Sequence, residues 1–259
     1  MPRPARKPRR QKPSYSAPAL EKGLEILELL AATQKPMTNR AIAERLGRSK
    51  GQIFRMVYVL VERGYLQRDA ATDQLTLSNR LFELGIRTPR PRQLTEAAVP
   101  AMERLSDRTG QSAHLVVVNR GDTVVIATTA GTADVGFSLR LGYRRPALLS
   151  TSGQVVIAFQ SDAARARLIE EGKAVLEEDL DARALVRRLD RIVRRGHLVA
   201  ESHDVVGVTD IAAPVLDRHG HAAASIVVPY LTRRGTTAAH GSVLRPLLDT
   251  CKEIGAALR

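Results

Sequence analysis

Apolar positions near the start of the chain recur at helical spacing in three successive stretches with short breaks between them. Leu20, Leu24, Leu27 and Leu30 share one face of a helix predicted over residues 18–33. Ile26 and Leu29 widen that stripe enough to meet more than one partner. Pro36 breaks the pattern. A second helix is predicted after Thr38, an N-cap residue type, and ends at Gly47, with Ala41, Ile42, Ala43 and Leu46 on its apolar side. The third begins at Ser49. Gln52 stands three residues on and completes a capping box, in which the serine hydroxyl and the glutamine amide each satisfy an orphan backbone N–H. Ile53, Val57, Leu60 and Val61 make the inner stripe of this helix. Lys50, Gly51, Arg55, Tyr58 and Glu62 fall on the other side, and Gly64 stops it. Residues 65–68 and 74–78 read as two short strands around the polar turn 69–73.

Two short helices across a sharp turn, then a two-stranded hairpin, make a winged helix-turn-helix, assigned here to residues 16–78. Residues 79–86 (NRLFELGI) continue as a helix. Residues 87–93 (RTPRPRQ) hold two prolines and three arginines, so 79–93 is read as linker helix and linker. A second domain is assigned to residues 94–259. Its pattern begins with a helix over 95–109, with Ala98, Met102 and Leu105 inward. Strands over 112–119 and 123–129 flank the hairpin signal Asn119-Arg120-Gly121-Asp122, and a further strand is predicted over 135–141. Helices follow over 150–159, 162–170 and 181–195. Strands over 205–216 and 221–228 surround the turn Asp217-Arg218-His219-Gly220, and a helix over 237–258 closes the chain. Strands and helices mix without strict β-α-β alternation, which predicts an α+β fold.

Charge separates the two parts more sharply than composition does. The net charge is +13, but residues 1–92 carry 19 Lys/Arg against 8 Asp/Glu, while residues 93–259 carry 21 against 19. That asymmetry predicts a polyanion partner for the front of the chain alone. Residues 1–15 contain four prolines, and six of the first twelve residues are basic. Such a segment cannot bury a core and reads as a disordered tail, either a solvated arm or one that lies along a DNA backbone or enters a minor groove. The single cysteine, Cys251, excludes an internal disulfide, and no metal-ligand spacing appears. There is no apolar run of about 18 residues and no apolar signal segment. A cytoplasmic protein with no metal, cofactor or membrane contact is expected.

In a helix-turn-helix, phosphate contacts supply position and base-edge contacts supply sequence choice. Ser49, Lys50, Gly51, Gln52 and Arg55 occupy the first two turns of the third helix, the part that meets the major groove. Lysine or arginine can pair with guanine and glutamine with adenine, or each can touch only phosphate. Arg68 in the wing reads as a phosphate contact. Arg40, Arg45 and Arg48 are backbone contacts or solvated charges. In the second domain, Ser150, Thr151, Ser152 and Gly153 open a helix. Its free N–H groups and dipole suit a carboxylate or phosphate, or the hydroxyls simply cap it. Asp210 interrupts the apolar run VVGVTDIAAPV, so it either faces solvent at a strand end or lines a cavity. Ser152 lacks a nucleophile elbow. Of six histidines only His219 and His221 are close in sequence, at a turn, and Cys251 reads as a small buried apolar group.

From about Ser16 to Leu258 the chain resembles the IclR family of bacterial transcription regulators. The segments that carry the resemblance are ALEKGLEILELLA, RLGRSKGQIFRMVYVLVERGYL, LTLSNRLFELG, SLRLGYRRPALLSTSGQVVIAF and GVTDIAAPVLDRHGHAAASIVVPYL. Their order and spacing together are specific. The resemblance implies a winged helix that dimerises on DNA and a C-terminal effector domain of GAF-like fold, in homodimers or homotetramers that repress or activate. It implies a ligand, often a carboxylic or aromatic acid, at the helix start matching Thr151, Ser152 and Gly153. Asp210, Val227 and Pro229 would line the pocket. Tyr143 and Arg145 would sit on a covering loop, with Arg145 able to pair with a carboxylate.

Three departures modify that expectation. Gly51-Gln52 stands where the family usually has Ser-Thr, which changes the DNA contacts. Asp210 replaces a small or sulfur side chain of some relatives and asks for a ligand hydroxyl or amine. Val227 and Pro229 replace hydroxyl residues, and a less polar wall implies a larger or more apolar effector. The expected protein is a ligand-responsive DNA-binding regulator of a catabolic operon, its partners a double-stranded operator and a small organic or aromatic acid. The alternatives are an architectural DNA binder with no ligand, and an enzyme fused to a helix-turn-helix that uses Ser152 or Asp210.

Overall fold

The computed structural model describes residues 16–134, 136–176, 180–231 and 240–258. The basic tail read from residues 1–15 and the start of the closing helix lie outside the described residues. The chain divides after Thr88 into two compact units.

The first unit holds α1 (Pro18–Thr33), β1 (Met37–Thr38), α2 (Asn39–Leu46), α3 (Lys50–Glu62), β2 (Leu66–Arg68), β3 (Gln74–Leu77) and α4 (Arg80–Ile86). Pro18 opens α1, where a missing N–H costs nothing. The Thr38 hydroxyl caps α2 by accepting the Ala41 N–H at 3.3 Å, and Gly47 closes that helix in the left-handed conformation. The short strands form an antiparallel sheet in the order β1-β3-β2. Ile26, Leu30, Ile42, Ile53, Val57, Leu66 and Leu75 meet in one core.

The predicted inward face of α1 is half wrong. Ile26 and Leu30 are buried, whereas Leu20 is 64% exposed and Leu24 is exposed too. At about 100° per residue the five leucines and one isoleucine of α1 cover more than half its circumference, more than this small core can take in. Leu81, Phe82 and Leu84 on α4 are likewise exposed, Phe82 by 69%. Two apolar rows of this unit therefore remain exposed among the described residues.

The second unit holds α5 (Pro89–Thr109), β4 (Ala113–Asn119), β5 (Asp122–Thr129), β6 (Arg144–Pro146), α6 (Thr151–Ala158), α7 (Asp162–Val175), α8 (Ala182–Arg195), β7 (Leu198–Glu201), β8 (Val208–Leu216), β9 (Ala222–Leu231) and α9 (His240–Ala257). Its six strands form one antiparallel sheet in the order β6-β5-β4-β9-β8-β7. α5 and α9 cover one face, bringing Met102, Leu105, Leu247 and Ile254 into one cluster with Leu115, Ile211 and Ile226. α6 and α8 cover the other, bringing Ile157, Leu189 and Ile192 together with Val116, Ala212 and Val227. Burial on both faces is why the central strands read as apolar runs rather than as alternation.

Three sequence expectations change. α5 starts at Pro89 and takes in residues assigned to the linker. Pro89 and Pro91 fall in its first turn, where backbone N–H groups have no helical partner anyway. Residues 136–141 are not a strand. Side chains meet their polar groups instead: the Ser112 hydroxyl donates to the Phe137 carbonyl, and the Leu139 N–H donates to His114 Nε2 at 2.9 Å. The short edge strands β6 and β7 went unread, because Arg-Arg-Pro carries no strand signal and Pro146 is tolerated only at an edge.

α6 lies so close to the preceding turn that a Cβ at Gly153 would press on the Ala147 carbonyl oxygen and the Ser150 hydroxyl. Gly153→Ala is expected to destabilise the protein by about 1–3 kcal/mol in denaturant unfolding. An unchanged midpoint would show that α6 can lift without cost.

Candidate functional site

The outer side of α3 presents Lys50, Gly51, Phe54, Arg55 and Tyr58 to solvent. Half of the expected capping box forms. The Ser49 hydroxyl accepts the Gln52 N–H at 3.4 Å, and among the described residues the Gln52 amide returns no bond. That end of α3 is fixed, and the amide stays available to an outside partner. A Cβ at Gly51 would meet nothing within 4 Å.

Of the other four candidate arginines, Arg45 has no ion pair among the described residues and three are already paired. Arg40 bonds Glu44 at 2.8 Å. Arg48 forks onto Glu25 at 2.9 and 3.1 Å and so ties the turn after α2 to α1. Arg68 pairs with Asp73 across the wing. The Asp69 carboxylate accepts the Ala71 and Thr72 N–H groups at 2.9 and 2.8 Å, which shapes the wing tip and holds that carboxyl below its usual range. Exposed pairs of this kind are weak, so a phosphate can take the place of each acid. Lys50 and Arg55 have no such partner among the described residues. Phe54 was missed in the sequence because an exposed aromatic on a helix is unexpected. The available signal was its place between Lys50 and Tyr58 at four-residue spacing.

A cavity of about 40 Å³ lies on the α6 side of the second unit's sheet. Seven of the eight residues expected around an effector line it: Tyr143, Arg145, Thr151, Ser152, Asp210, Val227 and Pro229. Strand register explains the convergence. Asp210 faces Pro229 across β8 and β9, and Ala212 faces Val227 two residues along. Arg145 sits opposite Thr123, whose hydroxyl donates to the Arg145 carbonyl at 3.1 Å. The eighth residue, Gly153, is not in the lining. Its N–H is taken by the Ser150 hydroxyl at 2.9 Å, and the missing side chain lets α6 pack against the preceding turn. The N–H groups of Thr151 and Ser152, at the positive end of α6, have no hydrogen-bond partner among the described residues. Val116, Val125, Phe137 and Leu139 supply an apolar wall, and His114 and Asp204 add to the polar lining. Sequence reading passed over His114 as part of an apolar strand, and Asp204 stands in a loop with no motif.

The electrostatics centre on Arg145. Its side chain is only 13% exposed and pairs with Asp204 at 3.0 Å, while its Nε is buried without a partner. The Tyr143 hydroxyl donates to the other Asp204 oxygen at 3.2 Å. Burial raises the tyrosine's pKa, and the Asp204 charge raises it further. Burial also pushes the Asp210 carboxyl up. The Thr151 hydroxyl and the Arg145 charge pull it back, and Asp204 adds a small push upward. His114 is fully buried, and burial lowers its imidazole to about 4. The Val227 carbonyl offsets part of that shift without making a full hydrogen bond to Nδ1. Because Nε2 accepts the Leu139 N–H, the neutral ring is assigned its proton on Nδ1. The site thus offers a guanidinium and two helix N–H groups to an anion, a carboxyl to a donor and apolar walls to a hydrocarbon body.

Elsewhere the residues with chemical potential are occupied. The Asp217 carboxylate accepts the backbone N–H groups of His219 and His221 at 2.8 and 3.0 Å, which shapes their hairpin turn. The buried Cys251 thiol is pushed up to about 12 by burial and is inert as a nucleophile. Among the described residues no group of three His, Cys, Asp or Glu is placed to hold a metal, and no helix is long and apolar enough to cross a membrane.

Residues 19–70 match the IclR helix-turn-helix domain, and residues 90–256 match the bacterial transcriptional regulator IclR C-terminal domain. The chain belongs to the IclR family; it is a helix-turn-helix transcriptional regulator and not an enzyme. It is 29% identical over 240 residues to the HTH-type transcriptional regulator BhcR of Paracoccus denitrificans, covering 91% of this chain and 85% of that one. It is 25% identical over 201 residues to the glycerol operon regulatory protein of Streptomyces coelicolor, covering 77% and 79%. Its fold is similar to that of an IclR homolog from Microbacterium hydrocarbonoxydans solved with 4-hydroxybenzoate. The TM-score is 0.75 at 22% identity, over 93% of this chain and 99% of that one.

The buried imidazole gives a signed pH dependence. A histidine lowered from 6.5 to about 4 on folding binds its proton more readily in the unfolded chain. Its contribution is therefore full above pH 6.5 and is lost as pH falls toward 4. Between pH 7 and pH 5 the wild type should lose about 2 kcal/mol more than His114→Gln in urea unfolding. Equal losses would show that the ring is solvated.

Proposed function

We propose that this regulator controls an operon for the use of a carbon compound, and that a small organic acid with an apolar or aromatic body is its effector. The convergence of Arg145, the free helix N–H groups of Thr151 and Ser152, and Asp210 on one cavity carries this reading. The carboxylate meets Arg145 and the start of α6. A hydroxyl or amine on the same molecule meets Asp210, and the body lies against Val116, Val125 and Val227. The neighbour solved with 4-hydroxybenzoate makes that hydroxy acid a reasonable first probe.

The protein acts on double-stranded DNA in the cytoplasm, at the nucleoid. Lys50, Gln52 and Arg55 contact base edges, while Arg40, Arg48 and Arg68 exchange their acid partners for phosphate. The exposed apolar rows on α1 and α4 suit a second copy of the chain, so dimers, or tetramers built from them, are the working form. Effector binding shifts the population of arrangements in which two α3 helices fit successive half-sites.

Gel-shift titrations against the DNA upstream of the chain's own reading frame, and against unrelated DNA of equal length, test the reading helix. Arg55→Ala should weaken the first about 10- to 100-fold and the second far less. Equal losses would reduce Arg55 to a phosphate contact. A thermal-shift panel of benzoate, 4-hydroxybenzoate and 4-aminobenzoate tests the cavity. Asp210→Ala should erase any preference for the members that carry a donor. A wild-type protein stabilised by no acid at all would remove the acid effector.

A further inference from the structure

The cavity as it stands is too small for the effector just proposed. Its 40 Å³ holds about three waters, whereas a cavity of roughly 150 Å³ is known to take a benzene ring. The place of a ligand carboxylate is already taken. Asp204 holds the Arg145 guanidinium at 3.0 Å and receives the Tyr143 hydroxyl at 3.2 Å and a contact from His203 Nδ1 at 3.1 Å.

We propose that Asp204 is an internal stand-in for the effector's carboxylate, and that an acid binds by exchanging with it at Arg145. The proposal rests on the acid-effector reading and adds the residue that sets the threshold for it. Three observations carry the exchange. First, the partners differ in freedom. Arg145 is 13% exposed and its backbone is held in β6 by pairing with β5. Asp204 is 39% exposed, on the loop 202–207 between β7 and β8.

Second, that loop is lightly held. Its backbone bonds are Ser202 N–H to the Val208 carbonyl at 2.8 Å and Val208 N–H to the Val205 carbonyl at 3.4 Å. Val206 at its tip is fully exposed, and Gly207 has a φ of +83°, a conformation glycine adopts without strain. Third, the charges require it. Asp204 and Asp210 already face one guanidinium. A third carboxylate would add unpaired negative charge in a partly buried site, whereas exchange keeps the count unchanged and releases Asp204 to water. An acid that enters therefore swings the loop outward and opens the volume it needs. A neutral ligand has no means of displacing Asp204.

Acetate, which supplies a carboxylate and almost nothing else, tests the exchange in the full-length protein. With chloride at equal ionic strength as the control, about 100 mM acetate should raise the melting temperature of Asp204→Ala by roughly 2–4 °C and leave the wild type unmoved. Asp204→Asn, which keeps the volume and loses the charge, should respond in between and guards against a folding defect in the alanine variant. Asp204→Ala combined with Arg145→Ala should not respond. Equal responses from wild type and Asp204→Ala would overturn the exchange and leave Arg145 as an open acid site. No response from any variant would overturn both the exchange and the acid-effector reading.

Discussion

A six-stranded antiparallel sheet covered on both faces has to place apolar residues at nearly every position of its central strands, and the second unit is organised around that demand. A polar side chain in such a strand must find a partner or a purpose. Ser225 finds a partner, donating to the Ala213 carbonyl at 3.1 Å. His114 accepts the N–H of Leu139 and so pins a segment that has no ladder of its own. Asp210 is different. Its carboxyl is desolvated, held by Thr151 and the charge of Arg145, and turned to a cavity rather than to a saturated network. α6 packs tightly on the turn before it at Gly153, and its first turn brings to the cavity two N–H groups that have no partner among the described residues.

The first unit solves a different problem, which is to hold positive charge at the surface without losing its fold. Among the described residues, exposed acids pair with four of its arginines, Arg40, Arg48, Arg68 and Arg80, and are cheap to displace. The two cations near the start of α3 stand unpaired among the described residues. A polyanion would thus meet some charges that are free and others that must change partner. The second pattern recurs in the other unit, where the half-exposed Asp204 pairs with the largely buried guanidinium of Arg145. Both units hold cationic sites behind their own carboxylates.

Much of this was legible in the sequence, and the gaps have physical causes. Caps announced themselves: Thr38, Ser49, Ser150 and Asp181 each precede a helix and bond to its first turn. The hairpin turns at Asn119–Asp122 and Asp217–Gly220 were equally plain. α1 misled because a surplus of leucines has no unique inward face, and Leu20 and Leu24 are spare to a single chain's core. Residues 136–141 misled because apolar alternation cannot report whether a ladder partner exists. The prolines of α5 hid a helix start as a linker. In the cavity, Asp210 stood out because it interrupts an apolar run, Thr151 and Ser152 because they open a helix, and the other expected lining residues came from the resemblance alone. Asp204 belongs to no pattern and acquires meaning only from the arginine that the fold brings to it.

The empty surroundings of Gly51 have a consequence for the history of the protein. A side chain added there would touch nothing that holds the domain together. Gly51 lies in the first turn of α3, where adding a side chain meets no steric cost in the domain. The position can be rewritten repeatedly without passing through an unfolded intermediate. Lineages carrying this fold can therefore drift toward new DNA sequences by single substitutions at the tip of one helix, while the core and the cavity remain as they are.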